Sequence, residues 1–553
     1  MAFGPEFISG LVHEFKKILP LRISKVEGGN FWVALKFHND KNLLLSWNTG
    51  ASGLCIANSN EVEILKNLSS SRNSLIEALK SRLLRGGEIF DAEQINDDRI
   101  IKLFVRRRVS AGLSVNYFLI LEITEPIGNF ILLDSNYKIE EAAKHSAPDQ
   151  NSYRTILPGH LYNTPPKFNG INLNIDSNLK FEDVQNLNGI GRPLTRLIQA
   201  HWDEKNILFW KNAILNLRDP DKNNNIKCQI ITKNNYLTRF EFDFPECHIL
   251  NLNPLDASRY AVLDKLLSKA REKKLNEINT KLKRAVKSRE RHLDGLIKQL
   301  KECERAEIFK LKGETILSNL NNIPAYSSKI NLTTWDGVNL EIELDPNLNA
   351  SKNAEKYFKK YRKFKNDPEQ IKINIDSVKS AIKEISEQYD ILESLNSPEE
   401  FEQAYNDVLE WLEPENKNKN NAKNKKLADK NPPHLIFTVG ENENIIILAG
   451  LSARGNRYVL KQARQNDIWL HAHELPGSHV IIKNISRNEL ENEKLNILEF
   501  AASIAAQHSK GKNSNSVQID YTERKHVRPV PGTIALVTYT NPGTIRISPK
   551  KGL

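Results

Sequence analysis

Methionine is nearly missing from this sequence: Met1 is the only one in 553 residues, and nothing in its chemistry explains that. The four cysteines, Cys55, Cys228, Cys247 and Cys303, stand far apart with no CxxC pair. That spacing excludes a zinc ribbon and a disulfide framework and fits a reducing compartment. No stretch approaches the roughly 18 uninterrupted apolar residues that a membrane span needs. The opening residues, Met-Ala-Phe-Gly-Pro-Glu-Phe, have no basic segment leading into an apolar run, so no signal peptide is expected. Together these absences point to a cytoplasmic protein without membrane partners. What is present is length and positive charge. The length suggests about three to five domains. The 79 basic against 68 acidic side chains leave a net charge of +11 and a pI near 9.1, which favours a polyanionic partner such as nucleic acid.

Residues 1 to about 175 alternate short apolar strands with polar turns. Phe31-Trp-Val-Ala-Leu-Lys-Phe37 and Leu43-Leu-Leu-Ser-Trp47 flank the turn His38-Asn-Asp-Lys-Asn42, which predicts a hairpin. Arg99–Val105 and Tyr117–Ile123 form a second antiparallel pair, Phe130–Leu133 follows a Gly128-Asn129 turn, and helices are expected at 5–18 and 72–83. This is an α+β domain. Asp97-Asp98-Arg99 stands where the chain enters a strand. It reads either as a surface ion pair worth little or as a guanidinium placed to grip a phosphate or base. Arg106-Arg-Arg108 reads as a basic tripeptide in a turn, usually a solvated loop and sometimes a phosphate contact. In Leu187-Asn-Gly-Ile-Gly191-Arg-Pro-Leu-Thr-Arg196, Gly189 and Gly191 open a helix with Pro193 in its first turn. A helix-hairpin-helix of this kind offers backbone N–H groups to a phosphate, with Arg192 and Arg196 beside them; the alternative is a simple glycine turn.

From about 256 the chain becomes long, charged and helical. Leu275, Ile278, Leu282 and Ala285 keep a coiled-coil spacing that falters at Arg289 and His292. Helical periodicity is lost between 322 and 368, where Val338–Leu344 reads as a strand. A second helix then carries Ile371, Ile375, Val378, Ile382, Ile385, Tyr389 and Leu392. Two such helices predict an antiparallel arm of roughly 60 Å, at about 1.5 Å per residue. The run Glu415–Lys426 is polar, basic and low in complexity, a linker by composition. The last segment holds Asp467-Ile-Trp-Leu-His-Ala-His-Glu-Leu-Pro-Gly-Ser-His-Val480, a strand, loop and strand. Its His471, His473 and His479 are possible metal ligands, but no Cys lies nearby and Glu474 is the only carboxylate in the stretch. The competing reading is a hairpin with structural His and Trp. An Ala-rich helix near 501–508, a strand at 516–522 and the basic Glu523-Arg-Lys-His-Val-Arg528 complete a small α+β module suited to nucleic acid.

Asp467-Ile-Trp-Leu-His-Ala with Pro476-Gly-Ser-His-Val480, Asp345–Ala354 leading into Tyr357-Phe-Lys-Lys-Tyr361, and Asp98-Arg99 resemble the NFACT family of ribosome-associated quality-control factors, some of them long labelled fibronectin-binding proteins. The resemblance implies a multidomain α+β fold: an NFACT-N domain over 1–178, a helix-hairpin-helix region over 179–254, and a coiled-coil arm over 255–413 with a middle insertion at about 322–368. A basic linker over 414–433 and an NFACT-R domain over 434–553 complete it. It further implies a factor that binds large ribosomal subunits still holding peptidyl-tRNA and recruits alanyl-tRNA for untemplated alanine tailing. The partners implied are rRNA, tRNA (alanine tRNA the expected species) and a possible small RNA-binding protein. No catalytic residue, metal or cofactor is implied, since the ribosome makes the peptide bonds. Asp98, Arg99, Glu122 and Ile123 become tRNA-binding candidates. Gly189, Gly191, Arg192, Arg196, Trp469, His471, Ser478, His479, Arg524, Lys525 and Arg528 become RNA-binding candidates. The sequence departs from the family pattern at Ser9, where an acid is common, at Thr124, at Ala449-Gly450-Leu451 in place of a Gly-Arg-Asn run, and in a shortened basic stretch at Arg528–Gly532. A factor that binds the subunit without efficient tailing also fits these departures. Two other classes remain: a DNA-repair glycosylase, which Pro5-Glu6 and the helix-hairpin-helix imitate although Ala2 would follow Met1 and no four-cysteine finger exists, and a surface adhesin, which no anchor or extracellular repeat supports.

Overall fold

The computed structural model describes residues 2–413 and 431–549, apart from 39, 72, 85, 111–112, 125, 150–152, 175–177, 218–225, 366, 440–443 and the side chain of 304. The chain forms two compact units, residues 1–273 and 274–553, and its mixture of helices and sheets is α+β and multidomain. The basic run expected as a linker lies almost wholly outside the described residues.

In the first unit, Lys25–Gly28, Trp32–Lys36, Lys41–Asn48 and Ala51–Asn58 form an antiparallel meander. A six-stranded antiparallel sheet runs in the order Ile139–Ala142, Asn129–Leu133, Leu113–Glu122, Ile100–Ser110, Gly87–Gln94, Leu21–Arg22. The two sheets meet where Trp47 stacks on Phe130, ring centroids 5.5 Å apart, an arrangement that contributes beyond its buried area. Helices Pro5–Lys16 and Ser74–Leu83 lie where periodicity placed them. Helix Ser59–Ser69 was not foreseen, although its start is a capping box: Asn58 Oδ1 accepts the Glu61 N–H and Glu61 Oε2 accepts the Asn58 N–H, both at 2.8 Å. Arg106–Arg108 is not a turn. It lies inside strand Ile100–Ser110, paired residue for residue with Leu113–Glu122.

In the second unit the helix Leu263–Ser318, which begins in the first, spans 56 residues. Its length is therefore roughly 84 Å rather than 60 Å. The interrupted stripe resumes after His292: Leu293, Leu296, Leu300 and Cys303 pack with Ile371, Ile375, Val378 and Ile382 of helix Pro368–Ser394. The middle insertion is a hairpin, Lys329–Thr333 with Asn339–Glu343, followed by helix Ala350–Phe364. The carboxy-terminal sheet runs His434–Val439, Ile445–Gly450, Val480–Lys483, Ile468–Ala472, Val517–Glu523, Gly543–Ile547, all antiparallel. Helix Leu495–Gln507 covers one face through the core of Ile468, Leu470 and Val480. The other face packs Trp469 and Ile481 with Val459, Leu460 and Val527.

This domain is fastened to the helices beneath it. The Glu384 carboxylate, 3% exposed, accepts the backbone N–H groups of Ile534 and Ala535. Asp407 takes Ser452 Oγ at 2.7 Å and Arg454 Nε at 2.8 Å, and Arg454 also reaches Glu410. Charged hydrogen bonds of this kind hold orientation as well as add stability.

Candidate nucleic-acid interface

The Asp98-Arg99 element is the end of a tight hairpin turn. Asn96 and Asp97 both have positive φ, 58° and 53°, and the Asp98 N–H returns to Ile95 O at 3.0 Å. Two left-handed central residues define a type I′ turn, for which Asn and Asp are suited. Asp98 does not grip the Arg99 guanidinium as an ion pair. Its Oδ1 accepts the Arg99 backbone N–H at 2.7 Å, which fixes the turn and leaves the half-buried guanidinium without an ion-pair partner among the described residues.

The turn and the 187–191 loop, some ninety residues apart in sequence, are neighbours. Gly189 has φ +74°, and a Cβ there would come within 3.3 Å of the Asp97 Cβ. Gly191 admits no side chain: a Cβ would sit 1.8 Å from the Tyr236 hydroxyl. Two side chains make the connection, the half-buried Gln94 and the buried Glu6. Gln94 Nε2 donates to Pro5 O at 2.9 Å and to Asp98 O at 2.8 Å. Glu6, 1% exposed, accepts the Gly191 N–H at 2.8 Å and the Thr238 hydroxyl at 2.6 Å. Burial pushes the Glu6 carboxyl up despite those bonds. Sequence reading sought an acid at Ser9 and missed Glu6, whose signal was its place in the first turn behind Pro5.

These contacts correct two expectations. The Gly191 N–H, offered above to a phosphate, is already taken by Glu6; what remains for an anion at this helix start are the exposed Arg192 and Arg196. Glu122 and Ile123 are 1% and 3% exposed and face no solvent. Glu122 pairs with Arg154 at 2.5 and 2.7 Å and accepts the Tyr162 hydroxyl at 2.8 Å. The Ile123 N–H donates to Arg99 O at 2.8 Å, so this segment supports the turn from behind.

In the carboxy-terminal domain the motif residues form a ring cluster on one sheet face. Trp469 stacks on His471, centroids 5.8 Å apart, meets His479 edge-on at 5.5 Å and lies 4.8 Å from Tyr539. His471 and His479 are edge to face at 5.1 Å. Trp469, Ser478 and His479 are buried, 0%, 1% and 4% exposed, and His471 is half-buried, so most of the expected RNA-facing row faces the protein interior; alternation put the aromatic side chains on a face that the Val527–Pro529 ribbon covers. Asn456, overlooked in the sequence, clasps the loop: its Oδ1 accepts the His479 N–H at 2.9 Å and its Nδ2 donates to Gly477 O at 3.1 Å. It stands five residues beyond Leu451 and two beyond Arg454. His473 is exposed, and its Nδ1 lies 2.6 Å from Asp520 Oδ2. Arg524 is turned inward, donating to Leu460 O and Val527 O; Lys525 pairs with Glu523 at 2.9 Å, and Arg528 is exposed.

Among the described residues no group of three His, Cys, Asp or Glu side chains is placed to hold a metal, and no helix is long and apolar enough to cross a membrane. Burial drives His471 down to about 4 and His479 well below its ordinary value. Both are neutral when folded and must gain protons on unfolding, so their stabilisation is lost as pH falls below about 6.5 towards 4. Thermal melts across that window should show the carboxy-terminal transition falling steeply, and replacing both histidines with glutamine should flatten the fall. An unchanged profile in the double variant would mean that other groups set it.

Two family models match the chain: the NFACT N-terminal and middle domains over residues 6–426 and the NFACT protein RNA binding domain over 434–538. It is similar to proteins named Rqc2 homolog RqcH. The one from Streptococcus suis (strain 05ZYH33) is 29% identical over 491 residues, covering 85% of this chain and 84% of the relative. The one from Bacillus subtilis (strain 168) is 29% identical over 588 residues, covering 99% and 98%. Among solved structures, the C-terminal part of the fibronectin/fibrinogen-binding protein from Streptococcus suis matches with 24% identity and a TM-score of 0.33, covering 51% of this chain and 96% of that one. With its first 426 residues matched almost throughout and an RNA-binding domain after them, the chain belongs to the NFACT family.

Proposed function

We propose that this protein acts in ribosome quality control: it binds a stalled large subunit carrying peptidyl-tRNA and recruits alanyl-tRNA for untemplated carboxy-terminal alanine tailing. It does so as an adaptor, with the ribosome forming the peptide bonds. Residues 1–178 and 179–254 serve the tRNA, the arm over 255–413 supplies reach, and 434–553 serves rRNA. The observation that carries the reading is the Gln94 and Glu6 clasp, which ties the turn carrying Arg99 and the helix start carrying Arg192 and Arg196 to the same first helix. Arginines suit phosphate and base edges. The likeness to proteins named Rqc2 homolog RqcH supplies the ribosomal setting. A glycosylase reading is disfavoured because Glu6 is sealed inside the protein and reaches no base.

The test is affinity purification of the full chain in moderate salt, with sequencing of the bound RNA. Enrichment of large-subunit rRNA with one alanine isoacceptor supports the proposal; an indiscriminate RNA profile reduces it to generic basic binding. Arg99→Ala should lower tRNA recovery about tenfold, as loss of one good charged contact does, while rRNA recovery persists. Asp98→Ala should act more weakly, through the turn. Wild-type tRNA recovery by the Asp98→Ala/Arg99→Ala chain would remove this turn from the site.

A further inference from the structure

The strand that begins beside Arg99 ends in a second feature that the proposed function does not use. From Ile100 to Leu121 the sequence holds Lys102, Arg106, Arg107 and Arg108 and no acid. The ladder with Gly87–Gln94 ends at Arg107, and that with Asn129–Leu133 ends at Phe118. Beyond these points Arg108 pairs with Ser114 and Ser110 with Leu113 as the tip of a two-stranded ribbon, with one further bond from the Arg108 N–H to Gly86 O at 3.4 Å. On one face, Arg106 stands opposite Asn116 and Arg108 opposite Ser114, all four exposed. Arg106 has an ion pair to Glu88 at 3.3 Å, an exposed contact that salt or a better anion readily replaces. Its guanidinium carbon lies over Phe90, 5.1 Å from the ring centre. Arg108 has no ion-pair partner among the described residues.

Below the ribbon the same face carries an aromatic ladder. Phe90 and Phe104 lie 6.0 Å apart, Phe104 and Phe118 5.6 Å, and Phe118 stacks on Tyr137 at 4.6 Å. Lys102 Nζ sits among three of these rings, 4.5, 4.8 and 4.9 Å from Phe104, Phe118 and Tyr137. Phe118 is nearly covered, Phe90 and Phe104 are half-buried, and Tyr137 is 43% exposed.

We infer that this sheet face, from Tyr137 through Phe104 and Phe90 to Arg106 and Arg108, is a track for single-stranded RNA, separate from the Arg99 turn. Lys102, 7% exposed, is held beneath the rings by Glu93 at 3.0 Å and the Tyr137 hydroxyl at 2.9 Å, while rings continued by exposed arginines along one sheet face suit the bases and phosphates of an unpaired strand, where stacking tolerates any base and cations follow the backbone. A duplex offers no bases for Tyr137 to stack on. The nine residues from Arg99 to Arg108 put the two ends of the strand about 30 Å apart, beyond the reach of one side chain.

The test uses the full chain and a labelled oligouridine of about a dozen residues, a length within the range for such surfaces, with an RNA duplex of equal length for comparison. The Arg106→Ala/Arg108→Ala chain should bind the single strand about tenfold more weakly, and its salt slope should flatten by roughly 1.4, about 0.7 for each lost phosphate. Arg106→Lys/Arg108→Lys should restore the slope, which a folding defect would not allow. Tyr137→Ala should weaken binding about tenfold with the slope kept, and Tyr137→Phe should bind as wild type. Arg99→Ala should leave oligouridine binding unchanged, so this track and the tRNA reading stand or fall separately. Wild-type affinity and slope in the Arg106→Ala/Arg108→Ala chain, a wild-type preference for the duplex, or equal loss in Arg99→Ala would each overturn the inference.

Discussion

Glu122→Ala is expected to destabilise the first unit by about 3–5 kcal/mol, the range for breaking one side of a buried ion pair. Nothing in that estimate requires RNA. Glu122 is sealed beneath the sheet, with both carboxylate oxygens on Arg154 and one also on Tyr162. Arg154 has the Asn163 carbonyl as a further acceptor at 3.3 Å, which cannot balance a full positive charge. Removing the carboxylate therefore takes the bidentate counter-ion from a buried guanidinium and an acceptor from a buried phenol, and each carries its own desolvation cost. Arg154→Ala should cost a similar amount by stranding the carboxylate. Glu122→Leu with Arg154→Met should recover most of the loss, because two apolar groups of similar size need no partner. Denaturant unfolding of all three chains measures this. A Glu122→Ala protein of wild-type stability but poor tRNA affinity would return Glu122 to the RNA surface.

That residue also marks the limit of what could be read without coordinates. Strand positions, the helix-opening glycines and the arm stripe follow from periodicity and turn chemistry, which are local, and the structure places them close to expectation. Burial of a charged residue is not local. Glu122 looks like any exposed strand-end carboxylate until Arg154 and Tyr162, 32 and 40 residues further on, are brought beneath it. The Gln94 clasp was illegible for the same reason: a glutamine has no period, and its two acceptors are Pro5 and Asp98. Arg106–Arg108 failed differently. Three arginines in a row look solvated and loop-like, and the ribbon geometry that lets a strand leave its sheet has no sequence signature of its own. In the carboxy-terminal motif the strand-loop-strand was legible, whereas its orientation was not. Alternation says which residues share a face and is silent on which face is covered.

Trp469 brings that last ambiguity to a measurement. Fully buried, it packs with Leu448, Val459, Leu460, Ile481 and Val527 and is in ring contact with His471, His479 and Tyr539. Trp469→Ala should cost about 3–5 kcal/mol, the usual range for emptying a large aromatic site in a core. It should abolish RNA binding by this domain only by unfolding it. Trp469→Phe separates the two roles. The indole Nε1 has no hydrogen-bond partner among the described residues, so phenylalanine discards a donor whose burial is itself unfavourable and keeps an aromatic ring against His471 and Tyr539. Its net cost should be on the order of 1 kcal/mol, the lost volume partly offset by the lost polar burden. If Trp469 is a core residue, the Trp469→Phe chain melts within a few degrees of wild type and binds RNA with unchanged affinity and salt slope. If it reads RNA from the surface, affinity falls while the melting temperature holds. The packing of three rings around a buried indole favours the first outcome.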